Sequence, residues 1–170
     1  MPEYPSAATF DSLVDLIDDA AARWPADQPM LSLRTDDGID LAWPAAEVRR
    51  RSMLAAWRLR DLGLQPGDRL LTWSPSTPRL PAVYLGAMRA GVVVVPLDLR
   101  MTKGVIERIS ARADTTWLAI DSGYDAPDPA EAGLSGFTVV ALADLTADPD
   151  DSLPQDWQEQ VGRASCRERV

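Results

Sequence analysis

Residues 70–120 read LLTWSPSTPRLPAVYLGAMRAGVVVVPLDLRMTKGVIERISARADTTWLAI, and this stretch decides the fold. Leu70 to Ser74 is a short apolar run, Pro78 to Ala90 has helical spacing, and Val92 to Pro96 is a continuous β-branched run. Lys103 to Ala113 is helical again behind Thr102 as cap, and Thr116 to Ile120 returns to strand. Thr77 is placed to cap the helix that follows it, and Gly91 to stop it. Strands that alternate with helices are joined by crossovers, and crossovers make parallel pairs. The Val-rich run, the middle one of three and apolar on both faces, reads as a strand covered from both sides. The fold class is therefore α/β, a partial parallel sheet with flanking helices.

Upstream, Phe10, Leu13, Val14, Ile17, Ala20, Ala21 and Trp24 keep helical spacing, with Thr9 as cap and Pro25 as stop. Met30 to Arg34 and Ile39 to Trp43 flank Thr35-Asp36-Asp37-Gly38, where Gly38 can supply the positive φ of a hairpin turn. Pro44 opens a second helix whose apolar stripe is Val48, Ser52, Ala55, Leu59 and Leu62, ending at Gly63. Arg49, Arg50, Arg58 and Arg60 lie mostly off that stripe and read as a solvated face. Downstream, a Pro, Gly and Asp-rich stretch to Gly136 precedes a strand from Phe137 to Ala141, and acidic Asp148 to Gln160 reads as linker or loop.

The chain has 170 residues, 46% hydrophobic and 25% charged, the range of one globular domain with a real core. The longest apolar run, Val92 to Leu97, is far short of the ~20 residues of a spanning helix. No signal peptide is visible, and the reading is a cytoplasmic protein without an integral membrane segment. There is no His and one Cys, so a Ser-His-Asp triad, a disulfide framework and a Cys/His zinc site are excluded by inventory. Residues 34–112 carry thirteen basic and eight acidic groups, but residues 113–161 carry none and eleven. Without aromatic interleaving or a tight basic cluster, nucleic acid is not an expected partner.

Residues 162–170 break from this pattern. Three Arg follow a stretch with no basic residue, and the codons GGA AGA GCG TCG TGT AGG GAA AGA GTG of a common sequencing adaptor encode those nine residues in order. They read as an adaptor translation that carries the lone Cys166, which leaves residues 1–161 as a partial domain.

Candidate chemistry is sparse. Gly86-Ala-Met-Arg-Ala-Gly91 has the glycine spacing of a phosphate loop, but Val92-Val93 stands where Lys-Ser/Thr is needed, and the segment ends a helix rather than starting one. Gly86 reads as a packing position instead. Asp148, Asp150, Ser152 and Glu159 match positions 1, 3, 5 and 12 of a calcium loop, yet Leu153 stands at position 6, where the loop requires Gly, so surface acidity is the better reading. Trp43, Trp57, Trp73 and Trp117 read as core anchors. Asp98, just past the carboxyl end of the Val-rich strand, is the best functional candidate by position, with loop capping as the equal alternative.

Three segments in fixed order carry a resemblance: Leu62-Gly-Leu-Gln-Pro-Gly-Asp-Arg-Leu70, then Ser74-Pro-Ser-Thr-Pro78, then Tyr84-Leu-Gly-Ala-Met-Arg-Ala-Gly91 running into Val95-Pro-Leu-Asp98. Together they resemble the N-terminal part of the adenylate-forming acyl-CoA synthetase and ligase superfamily, the AMP-dependent synthetase/ligase large domain. Leu41-Ala-Trp43 leading to Glu47 also fits the family's opening region, so the likeness covers about residues 9–120. Leu99-Arg-Met-Thr102 after Pro-Leu-Asp is more similar to fatty-acid ligases than to peptide-synthetase domains, and Ser76 departs from a frequent family Asn.

The resemblance implies activation of a small-molecule carboxylic acid by ATP and Mg²⁺ and transfer to coenzyme A in the full-length parent. It locates no catalytic, cofactor-binding or metal-binding residue in this chain, so the fragment is expected to be inactive and to bind none of these tightly. Two other readings remain: a fragment of a peptide-synthetase adenylation domain, and a stand-alone flavodoxin-like binding or regulatory module.

Overall fold

A computed structural model describes residues 10–121, 128–148, 156–157 and 161. The order is α1 (Leu13–Arg23), β1 (Leu31–Thr35), β2 (Gly38–Trp43), α2 (Ala45–Asp61), β3 (Arg69–Thr72), α3 (Arg79–Ala90), β4 (Val93–Pro96), α4 (Lys103–Ala113), β5 (Trp117–Ile120), β6 (Thr138–Ala141) and α5 (Leu142–Thr146). β1 and β2 form an antiparallel hairpin, Leu31 opposite Trp43, with Gly38 at φ 126° at its turn.

The remaining strands form one parallel sheet in the order β4-β3-β5-β6. Alternation along the strands divides the core. Leu70 and Ala119 face α2, α3 and α5 together with Leu54, Leu59, Val83, Ala87, Leu142 and Leu145. Leu71, Trp73, Leu118 and Ile120 face the other way, onto Ile106 of α4 and Leu134. Helices thus cover both faces, as the alternating pattern predicts.

The Val-rich strand β4 is not central. Among the described residues it pairs only with β3, and Val93 is half-exposed at 51%. A β-branched run suits an edge strand as well as a buried one, and composition alone does not distinguish them.

Other local expectations are also corrected. Ser12, not Thr9, caps α1: its Oγ accepts from the Asp15 amide at 3.1 Å and donates to the Asp15 carboxylate at 2.8 Å. Thr9 lies outside the described residues. Thr77 does not cap α3, because its hydroxyl is engaged by Asp121 and Pro78 occupies the cap position. Leu62 is exposed, whereas Val48, Ser52, Ala55 and Leu59 are buried as the stripe predicts.

The α2 arginines are not a solvated face. Arg49 donates to Asp18 of α1 at 3.1 Å, Arg60 to the Arg89 carbonyl at 3.2 Å, and Arg50 and Arg58 reach the segment after α5. The short helix α5, five residues long, carries no periodic signal of its own in the sequence. Trp157, within the predicted acidic linker, and Val161, just past it, are buried in the α2/α3 core; the rest of the linker beyond Asp148 and Asp156 lies outside the described residues.

Gly86 does pack, against Ala55 and Ser52 of α2, and Gly91 ends α3 in the left-handed conformation at φ 74°. Trp43 and Trp73 are buried anchors, while Trp57 and Trp117 are partly buried against the core.

Candidate functional site

In an open parallel sheet, ligands bind outside the carboxyl ends of the strands, where successive connections leave in opposite directions. Here the chain runs from β3 to β4 on one side and then to β5 on the other, so that point lies between β3 and β5. Three segments meet at this edge: Trp73 to Pro78 after β3, Leu97 to Arg100 after β4, and Asp121 after β5.

The β4 loop is held by its own residues. The Asp98 carboxylate accepts from the Arg100 amide at 2.8 Å, from Arg100 Nε at 3.0 Å and from Arg100 Nη2 at 2.9 Å. The Arg100 guanidinium, with its backbone amide second, holds the Asp98 carboxyl down at about 2. Trp73 Nε1 donates to the Asp98 carbonyl at 3.1 Å and fixes the loop to β3. Asp98 is therefore a loop cap that stays ionised and accepts three hydrogen bonds from Arg100, which suits it poorly for proton transfer.

Asp121 is a residue that reading the sequence missed. It is 1% exposed, and its carboxylate accepts from Thr77 Oγ1 at 2.7 Å, with Arg79 Nη1 at 3.4 Å from both oxygens. The two sides of the crevice are thus tied together by a buried carboxylate. The signal was available, since Asp121 follows β5 as Asp98 follows β4.

Beside this cluster, Ser76, Thr77 and Tyr84 face Leu31 and Ser32 of the hairpin across a cleft of about 360 Å³. Tyr84 hydroxyl and Thr72 Oγ1 are 3.0 Å apart. Pro81 and Tyr84 also wall an apolar groove of about 590 Å³ between α1 and α3, lined by Phe10, Leu13, Leu16, Leu85 and Met88.

These residues do not form a phosphate cradle. A helix start binds phosphate through free amides, but Pro78 and Pro81 have none at the start of α3, and the Leu80 amide donates to the Thr77 carbonyl at 3.1 Å. Gly86 and Gly91 sit inside and at the end of α3, as packing and stop positions. Among the described residues there is no cluster of three His, Cys, Asp or Glu that could hold a metal. Asp148, from the calcium-like spacing, is bound by Arg50 and Arg51; Asp150, Ser152 and Glu159 lie outside the described residues. Lys103 lies 3.7 Å from Glu107 on α4. The groups described at this edge hold the loops and pack the core.

A doubly wound parallel sheet behind a helix and hairpin defines the class, an α/β protein with its ligand edge at the β3–β5 switch point. Residues 17–165 match the family described as AMP-binding enzyme, and the chain belongs to that family. It is 31% identical over 125 residues to an L-proline--[L-prolyl-carrier protein] ligase of Streptomyces coelicolor, covering 69% of this chain and 23% of that protein. It is 30% identical to a long-chain-fatty-acid--CoA ligase of Yersinia pestis, covering 68% and 20%. The McyG A-PCP structure complexed with phenylalanyl-adenylate superposes with a TM-score of 0.68 at 13% identity, over 87% of this chain and 28% of that one. The chain thus spans about a quarter or less of the length of these curated relatives.

Proposed function

We propose that this chain is the N-terminal part of an enzyme that activates a fatty acid. The acid's carboxylate attacks the α-phosphate of ATP, giving acyl-adenylate and releasing pyrophosphate. The thiol of coenzyme A then displaces AMP to give the acyl-CoA, with Mg²⁺ serving the nucleotide and the cytoplasm as the compartment. The observation that carries the reading is the family match over residues 17–165. The Leu99-Arg-Met-Thr102 continuation and the fatty-acid ligase relatives support the choice of acid.

We propose further that the 170-residue chain is inactive by itself and binds none of these groups tightly. What supports this is the chemistry at the sheet edge, where Asp121 and Asp98 are already engaged, Pro78 and Pro81 bring no amide to the start of α3, and the Leu80 amide is taken by the Thr77 carbonyl. Residues 162–170 are read as foreign to the natural protein, on the codon match and the abrupt return of arginine.

A second reading, an amino-acid-activating domain that loads a carrier protein, is favoured by the proline-carrier ligase relative. Acid-dependent ATP–pyrophosphate exchange separates the readings. The 170-residue chain is expected to give none, and the longer product of the same gene to exchange with fatty acids and form acyl-CoA. Exchange by the short chain overturns its inactivity. Exchange of the longer product with proline, and none with fatty acids, replaces the first reading with the second.

A further inference from the structure

Helix α5 is only five residues long, below the length at which a helix holds itself in water. Of its last carbonyls, that of Asp144 receives the Ala147 amide at 3.4 Å, and helix-end carbonyls beyond it need partners from outside the helix when they lie against a core. The partners come from α2, almost a hundred residues earlier. Arg58 Nη1 donates to the carbonyls of Asp144 and of Ala147, the latter at 2.9 Å, and Nη2 to that of Asp148 at 3.2 Å. Arg51 Nη1 donates to the Thr146 carbonyl at 2.5 Å, and Nη2 to the Asp148 carboxylate at 3.0 Å.

Arg51 is itself aimed. Glu47 receives its Nε at 2.7 Å, and its guanidinium lies 5.5 Å from the centre of the Trp43 ring. Beneath α5, Leu142 and Leu145 are buried in the α2/α3 core, which also takes in Trp157 and Val161.

We infer that Arg51 and Arg58 are positioning residues that cap α5 from outside and thereby set where the chain leaves the sheet after β6. Five N–H groups in a planar fork let one guanidinium serve several carbonyls, which the point charge of a lysine does not. Arg50 is the built-in contrast: it contacts the Asp148 and Glu47 carboxylates and none of these carbonyls. On the reading proposed above, the clamp fixes the departure point of the phosphate-binding part of the enzyme. That last step rests on that reading, whereas the clamp and its test do not.

Amide hydrogen exchange of the 170-residue protein tests it. Arg58→Lys and Arg51→Lys are expected to raise exchange over residues 142–148 on the order of tenfold, while amides of β3 and β5 stay within about twofold of the parent. Arg50→Ala, which removes charge but no carbonyl donor, is expected to leave 142–148 within about twofold. The inference is overturned if the lysine variants leave 142–148 unchanged, if exchange rises equally across β3 and β5, or if Arg50→Ala loosens the segment as much as Arg58→Lys. Because the lysine variants keep charge and stem, the test does not depend on whether Arg58→Ala folds.

Discussion

Gly86 of α3 lies so close to Ala55 of α2 that a methyl group on Gly86 would stand 2.6 Å from the Ala55 Cβ. The Ser52 carbonyl oxygen at 2.8 Å and the Ala56 nitrogen at 3.0 Å close the remaining space. Backbone and Cβ atoms cannot swing aside, so the two helices must separate. Gly86→Ala is expected to destabilise the protein by about 1–3 kcal/mol, overpacking outweighing the gain of up to about 1 kcal/mol in helix propensity. Urea unfolding measures this, and an unchanged or raised midpoint would refute the close crossing.

Asp121→Ala removes the acceptor of the buried Thr77 hydroxyl and the carboxylate facing Arg79. A loss of about 1–3 kcal/mol is expected from the group left without its acceptor. Protease cleavage within residues 74–78 should accelerate with it. A variant as stable as the parent would mean that the loop after β3 is held by its prolines alone.

Three carboxyls have lowered pKa values: Asp98 through Arg100, Glu47 through Arg50 first, and Asp148 through Arg50 first. A carboxyl whose folded value lies below its unfolded one stabilises fully above the unfolded value and loses that contribution as pH falls through the folded value. Stability should therefore fall with acidification below the ordinary values of 4.5 for Glu47 and 3.8 for the two aspartates. Carbon NMR is expected to place the Asp98 midpoint near 2, and Arg100→Ala to return it toward 3.8. A midpoint near 3.8 in the parent would contradict the Asp98–Arg100 geometry.

Phe10, Leu13, Leu16 and Met88 are exposed along the groove between α1 and α3. Apolar patches of this kind bind dye and limit solubility. The protein should enhance the fluorescence of an anilinonaphthalene sulfonate dye, and Leu16→Glu with Met88→Glu should abolish most of that enhancement while leaving the melting temperature nearly unchanged. Equal enhancement in the double variant would place the dye elsewhere.

The sequence carried much of the fold because apolar period and punctuation agree over residues 70–120. Gly91, Pro44 and the Gly38 turn each mark a boundary where the structure has one. Lateral strand order is not written in local pattern: Val94 and Val95 pack on opposite faces as the β-branched run suggests, yet nothing in that run marks β4 as the edge strand. Arginine faces mislead for a related reason: Arg51 and Arg58 look solvent-directed until the carbonyls of residues 144–148 fold against them. Asp98 was found by position, but only the structure shows that Arg100 occupies it. Asp121 stands after its strand as Asp98 does, but belongs to no motif, and its partner Thr77 lies 44 positions earlier.

The most direct test of the account is to sequence the source DNA across the codons for Gln160 to Arg163, on reads that contain no adaptor. The frame is expected to leave the Gly162 to Val170 string and continue into a Ser/Thr/Gly-rich phosphate loop. Genomic sequence that reads through Arg163 and closes at Val170 would contradict the claim that this chain is the opening part of a carboxylate-activating ligase.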